Sequence, residues 1–226
     1  MPRYHTRFAI AAWALITWMT ANIAAILVGI IAKSSGAFHP WSEMFAFEST
    51  LAIGSVVLLR RDGITARVAG IGPGVHSFPW FRNLALLVGL NTTVNIFIFA
   101  VNAPDTTLST LSAWQRVLWA CIIAPCSEEL FARGWFQTSY QNALGISRSH
   151  SAVLASATLF AVMHVSNSDS SLRTMATVAA AFLSGLIFAR VRQVCGSLLP
   201  GVILHSVFNA SGWLIAKPLW FFISKR

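Results

Sequence analysis

The longest uncharged stretch of the chain is an apolar segment close to its N-terminus. Phe8–Ala32 contains no Asp, Glu, Lys or Arg over 25 residues, and about 20 apolar residues are enough for a helix to cross the roughly 30 Å hydrocarbon core of a bilayer. The core of a secretory signal is shorter, about 7 to 15 residues. The segment therefore predicts a retained membrane-spanning helix.

The composition of the whole chain agrees with a membrane protein. Charged residues make up 10% of the 226 residues and hydrophobic residues 56%, whereas about a quarter of the residues of a typical soluble domain are charged. The net charge of +9 comes mainly from basic residues between the apolar runs, and no stretch interleaves basic and aromatic residues on a polar background. These features argue against a soluble fold and against nucleic-acid binding.

Apolar runs recur along the sequence and divide it into seven candidate membrane helices. No internal repeat and no soluble domain separates them, so they predict one integral membrane domain over residues 1–226. The expected fold is all-α, a polytopic helical bundle with about seven transmembrane helices (six to eight). The candidate spans are Phe8–Ala32, Trp41–Leu59, Leu84–Val101, Trp114–Gln137, Ser151–Val165, Thr174–Ala189 and Leu198–Ile215.

The distribution of basic residues between these spans favours a cytoplasmic N-terminus. Loops rich in Lys and Arg stay on the cytoplasmic side of a membrane. With Arg3 and Arg7 inside, alternate crossings place nine basic residues inside and five outside. The C-terminal Lys217, Lys225 and Arg226 fall on the outer side and oppose this orientation.

The fourth candidate span carries charges that a membrane helix seldom contains. Glu128, Glu129 and Arg133 lie within it, and each costs roughly 2.5 to 3.5 kcal/mol at the bilayer centre if it stays unpaired. Glu129 and Arg133 are four residues apart and share a helical face, with the acid first, which is the better order for an ion pair. A purely structural network of all three charges is one interpretation. We expect instead that Glu129 is paired and that Glu128 is free to act as a general base.

Two later spans add polar groups at comparable depth. His164 lies at the end of the fifth span, and His205 and Asn209 lie four residues apart in the seventh, on one helical face. A lone histidine near a helix end commonly makes only a local hydrogen bond, so His164 by itself proves little. Three spans that each bury polar groups predict a common central cluster in which each group finds a partner.

The predicted cluster has no obvious nucleophile. Ser127 has no histidine at a characteristic spacing, and the sequence contains neither a Gly-x-Ser-x-Gly elbow nor a His-Glu-x-x-His zinc motif. A carboxylate and an imidazole that polarise water, with donors for a tetrahedral oxyanion, would hydrolyse an amide without a covalent intermediate. Alternatively, Glu128, His164 and His205 would hold Zn²⁺ with an open coordination position. The sequence leaves both possibilities open.

Three motifs, in this order, resemble those of the CPBP family of intramembrane proteases. They are Glu128-Glu129-x-x-x-Arg133, Phe160-x-x-x-His164 and His205-x-x-x-Asn209, within a core segment from Trp114 to Trp213. The family includes type II CAAX prenyl endopeptidases and bacterial Abi proteins. It was long described as a family of metalloproteases and is now described as glutamic-type.

The resemblance implies a role for each motif residue. Glu128 and His164 would activate water, and His205 and Asn209 would form the oxyanion hole. Glu129 and Arg133 would support the site, and no metal cofactor would be needed. The substrate would be a membrane-associated protein or peptide in the bilayer of a bacterial inner membrane, processed during maturation or to remove a C-terminal sorting signal.

Two functions from other classes remain as alternatives. A non-catalytic membrane scaffold or bacteriocin-immunity factor would use the same fold only to bind a partner. A small transporter would use the buried acids and histidines as a proton relay, although the sequence lacks the internal repeat common among transporters. The sequence does not indicate an oligomeric state.

Overall fold

The computed structural model describes residues 6–35, 40–72, 79–100, 112–145, 149–165 and 171–223, apart from the side chains of Pro40 and Trp213. This part of the chain forms seven helices and no strand, which confirms the all-α prediction. Arg3, Lys225 and Arg226, on which the predicted orientation partly depends, lie outside the described residues. The helices are α1 (Arg7–Ser34), α2 (Pro40–Arg61), α3 (Trp80–Ala100), α4 (113–144), α5 (His150–Met163), α6 (Ser171–Cys195) and α7 (Leu199–Ile223).

Five of these helices, namely α1, α2, α3, α6 and α7, are long and apolar enough to cross a membrane. Large apolar side chains such as Phe8, Ile26 and Met175 are exposed along them, and apolar surface of this extent is matched by lipid. Helix α5 is different. With 14 residues it is about 21 Å long, so a helix that begins at one membrane surface ends within the roughly 30 Å hydrocarbon layer. Such a placement of α5 would put His164, directly after the helix, within the membrane.

Helix α4 alternates between α-helical and π-helical segments. Rare π-helical turns occur frequently at functional sites. The two glutamates lie in the central α-helical segment, and Arg133 lies in the second π-helical one. The α-helical segments are Ala113–Leu118, Ala124–Glu129 and Thr138–Leu144, and the π-helical ones are Trp119–Ile123 and Leu130–Gln137.

Pro125 creates a gap in the hydrogen bonding of α4 that α7 fills. Proline has no backbone N–H, so the carbonyl of Cys121, four residues earlier, loses its α-helical donor. The hydroxyl of Ser206 on α7 donates to this carbonyl, with 2.6 Å between the oxygens. The local break in α4 therefore provides an attachment point for α7.

Helix α4 lies at the centre of the fold because its side chains enter both apolar cores. Phe131 and Trp135 pack in the first core, together with residues of α1 and α2 such as Ile10 and Leu51. Ala132 lies between these two residues in the sequence but packs in the second core. That core also contains Leu87 of α3, Phe160 of α5, Phe188 of α6 and Leu204 of α7.

Helices α5 and α6 approach each other closely at Ala157 and Gly185. A Cβ atom added to Gly185 would lie 3.2 Å from Cα of Ala157, so a larger residue would push the helices apart. Close approach through small residues is typical of helix packing in membranes. At the same residue, the Gly185 carbonyl accepts a hydrogen bond from Nη2 of Arg133 at 3.2 Å.

Asp62, directly after α2, ties that helix to the second half of α4. Its side chain is buried and accepts hydrogen bonds from Nε1 of Trp135 at 2.8 Å and from the hydroxyl of Ser139 at 3.2 Å. Nε of Arg61 donates to its other oxygen at 2.7 Å. This carboxylate thus fixes the end of α2 against α4.

Substituting Asp62 with Ala should destabilise the protein by roughly 3 kcal/mol, because buried donors on Trp135 and Ser139 lose their acceptor. The measurement is the midpoint of thermal unfolding in detergent. Ser139→Ala is the matched control, since it removes only one of these hydrogen bonds and should lower the midpoint less. Equal midpoints for the two variants would contradict the anchoring role.

Candidate active site

The predicted ion pair between Glu129 and Arg133 is present and fully buried. Nη1 of Arg133 donates to Oε1 of Glu129 at 2.9 Å, and neither side chain is more than 1% exposed. The guanidinium also lies over the ring of Phe160, 4.3 Å from its centroid. Together with the bond to the Gly185 carbonyl, these contacts link α4, α5 and α6 around one charge.

Glu129 also binds His205 on α7. Nδ1 of His205 lies 3.2 Å from Oε1 of Glu129, and an ionised carboxylate can only accept, so this nitrogen carries the proton. The imidazole is stacked on Phe188 with 4.9 Å between ring centroids. Gly201, one turn earlier, makes room for the carboxylate, because an added Cβ would lie 3.2 Å from Oε2 of Glu129. The ring of His205 is therefore held in one orientation.

Glu128 has no comparable partner. Its Oε2 atom is 3.7 Å from Nε2 of His205 and, although buried, makes no hydrogen bond. The side chain lines a cavity of about 330 Å³ between α1, α2, α4 and the ends of α5 and α6. The predicted asymmetry in pairing, with Glu129 paired and Glu128 unpaired, is thus observed.

His164 lines the same cavity as Glu128. Its Nδ1 atom is 2.8 Å from the carbonyl oxygen of Phe160. Because a carbonyl can only accept, Nδ1 carries the proton, and Nε2 of the neutral ring is left as an acceptor. The cavity wall thus combines an unpaired carboxylate with an imidazole of fixed tautomer.

Asn209 is attached to the backbone of α4. Its Nδ2 atom donates to the carbonyl of Ala120 at 2.8 Å. In this π-helical turn the N–H of Ala124 bonds the carbonyl of Trp119, and the next residue, Pro125, has no N–H to offer. The amide of Asn209 therefore supplies a missing donor, and one of its two N–H groups remains for another acceptor. His205 and Asn209 share α7 as predicted, but neither lines the cavity.

The cavity is also lined by acidic residues that lie outside the three motifs. Glu48 of α2 is 1% exposed and accepts a hydrogen bond from the hydroxyl of Ser127; Glu43 of the same helix also lines the cavity. The sequence places Glu48 inside an apolar candidate span, where a carboxylate needs a partner. Its proximity to Glu128 depends on how α2 packs and is not visible in the sequence.

The alternative of a zinc site was predicted on Glu128, His164 and His205. Among the residues that the structure describes, no three His, Cys, Asp or Glu side chains are grouped so that they could hold a metal ion. Two of the proposed ligands already use Nδ1 in a hydrogen bond, His164 with the Phe160 carbonyl and His205 with Glu129. The metal dependence itself is a matter for experiment.

A comparison with protein families supports the motif analysis. Residues 110–211 match the family described as type II CAAX prenyl endopeptidase Rce1-like. The matched segment is a little under half of the chain and contains all six predicted site residues. Neither a curated protein nor a solved structure matches the chain. The family match confirms the resemblance of this segment to the CPBP family of intramembrane proteases that the three motifs carry.

Proposed function

We propose that the chain is an intramembrane endopeptidase that hydrolyses a peptide bond of a membrane-associated protein or peptide. The observation that carries this proposal is the cavity with both Glu128 and His164 in its wall. Oε2 of Glu128 is unbonded, and Nε2 of His164 is an acceptor once Nδ1 has bonded the Phe160 carbonyl. A water molecule in this cavity would find an acceptor for each of its protons.

The proposed reaction uses this water as the nucleophile. Its oxygen attacks the carbonyl carbon of the peptide bond while Glu128 takes up one proton, and the carbonyl electrons form an oxyanion. When the C–N bond breaks, Glu128 returns the proton to the leaving nitrogen. His164 accepts a hydrogen bond from the water and holds it in position, and no bond forms between enzyme and substrate.

His205 and Asn209 are the proposed donors to the oxyanion. Asn209 keeps one amide N–H after bonding Ala120. His205 would donate through Nε2, and it can do so only when the ring is doubly protonated, because Nδ1 carries the proton shared with Glu129. Glu129 and Arg133 are positioning residues, since Glu129 bonds the ring of His205 and Arg133 holds Glu129 in place.

The proposed biological role follows from the membrane setting. The described part of the chain contains five helices of spanning length, so the accessible substrates are peptide segments within or beside the bilayer. We propose protein maturation or removal of a C-terminal sorting signal, in a bacterial inner membrane with the N-terminus in the cytoplasm. The alternative of a non-catalytic scaffold or immunity factor would not depend on an unpaired Glu128.

Substituting Glu128 with Gln or His164 with Ala should lower kcat/KM by roughly 10²- to 10⁴-fold, the range of general acid–base catalysis. Each change removes one acceptor of the attacking water. The measurement is cleavage of membrane-spanning model peptides, and separately of a farnesylated C-terminal peptide, by the purified protein in liposomes. Cys126→Ser is the matched control, because Cys126 is exposed on the same helix and should not affect cleavage.

Two outcomes would contradict the proposal. Cleavage at the wild-type rate by both variants would show that neither Glu128 nor His164 takes part in the reaction. Protection of cells against a bacteriocin that persists in both variants would favour the non-catalytic immunity factor instead.

Removing divalent metals should leave the activity unchanged, because in the proposed reaction Glu128 and His164 activate the water and no metal ion is needed. The measurement is cleavage in the presence of a strong zinc chelator, combined with metal analysis of the purified protein. Loss of activity on chelation that is restored by added Zn²⁺, together with stoichiometric zinc, would support the alternative site of Glu128, His164 and His205.

A further inference from the structure

The cavity of the proposed active site is lined by an unusual number of acids. Glu43, Glu48 and Glu128 all face it, which is three of the seven acidic residues of the chain. The remaining wall is largely apolar and includes Met44, Phe47 and Met163. The acids of α2 therefore extend the polar part of the cavity beyond the residues assigned to water activation.

Within the described residues, the cavity wall contains no basic side chain other than the neutral ring of His164. The chain has a net charge of +9, yet neither Lys nor Arg lines the cavity. In this part of the structure Arg61 pairs with Asp62 and the buried Arg133 pairs with Glu129. Nε2 of His205 lies 3.7 Å from Oε2 of Glu128. In a surrounding of low polarity a carboxyl group ionises more readily when a ligand brings positive charge close to it.

Both carboxylates of α2 are held in place by their surroundings. Glu48 accepts the hydroxyl proton of Ser127, the residue before Glu128, so α2 and α4 are joined beside the proposed base. Glu43 lies against Gly29 of α1, where an added Cβ would overlap with its Oε1 atom at 1.9 Å. A glycine at this position leaves the space that the carboxylate occupies.

Two polar groups of the cavity wall lack partners and indicate that a ligand completes them. Glu128 is 9% exposed, and its Oε2 atom makes no hydrogen bond. Nε1 of Trp119, in the same wall, is also buried without an acceptor. Buried polar groups are normally hydrogen-bonded, so the cavity is suited to a peptide backbone with a polar side chain.

We propose that Glu43 and Glu48 form a specificity site for a cationic side chain, Arg or Lys, close to the bond that is cleaved. This inference rests on the proposed protease function. The guanidinium of Arg presents five donors in a rigid fork and can bond two carboxylates. The aliphatic stem of such a side chain packs on Met44, Phe47 and Met163, and a substrate with Glu at this position is repelled.

Binding tests the specificity site without turnover. A fluorescent peptide with a Leu-rich membrane segment is made in versions with a single Arg, Gln or Glu next to that segment. Its affinity for the Glu128→Gln protein in nanodiscs is measured with a chelator present, so that no divalent cation occupies the carboxylates. The Arg peptide should bind roughly 10- to 100-fold more tightly than the Gln peptide, as expected for charge-assisted hydrogen bonds.

Substitutions on α2 complete the test. Each of the substitutions Glu43→Gln and Glu48→Gln, added to Glu128→Gln, should reduce the preference for the Arg peptide. Because Glu43 is only half-buried, the effect of Glu43→Gln is informative even if Glu48→Gln perturbs folding. Cys126→Ser in the same background should keep the preference. Equal affinity for the three peptides, or a preference that survives both substitutions, would overturn the inference.

Cleavage assays separate this inference from the proposed function. If cleavage requires Glu128 but its rate is the same for the Arg, Gln and Glu peptides, the specificity site is wrong and the protease function stands. If the Arg peptide binds through Glu43 and Glu48 but is hydrolysed equally by wild type and Glu128→Gln, the cationic site stands and the proposed mechanism is wrong.

Discussion

The buried ion pair between Glu129 and Arg133 is the interaction on which the site depends. Two full charges inside a membrane helix cost several kcal/mol each unless both are paired and hydrogen-bonded. Arg133 also donates to the Gly185 carbonyl and lies over the ring of Phe160, and Glu129 also accepts a hydrogen bond from Nδ1 of His205, while Nε of Arg133 and Oε2 of Glu129 make no hydrogen bond. One pair thereby fixes the relative positions of α4, α5, α6 and α7, and it leaves Glu128 as the acid without a cation.

The interruption of α4 has a comparable effect on the backbone. Pro125 and the π-helical turn before it leave two carbonyls without helical donors, and Ser206 and Asn209 of α7 occupy them. In hydrocarbon no water could replace these donors, so the break in one helix specifies where the other packs. Asn209 therefore has a structural contact in addition to its proposed part in the oxyanion hole.

Local features of the site were predictable from the sequence and tertiary ones were not. Apolar runs indicate helices because a membrane helix must satisfy its own backbone, and the Glu129–Arg133 pair joins residues one turn apart on one helix. The partner of Asn209 could not be foreseen, because the Ala120 carbonyl becomes available only through the π-helical turn. Glu48 was visible as a charge in an apolar span, but its place beside Glu128 depends on the packing of α2 against α4. The short length of α5 was already indicated by the short candidate span Ser151–Val165.

The central claim is that water held by Glu128 and His164 attacks a peptide bond inside this cavity. An experimental structure of the Glu128→Gln variant with an uncleaved membrane peptide tests it most directly. We expect the carbonyl carbon of the scissile bond to lie in the cavity, facing residue 128 and His164, with its oxygen towards His205 and Asn209. A peptide bound in a competent complex with its scissile bond outside this cavity would contradict the account.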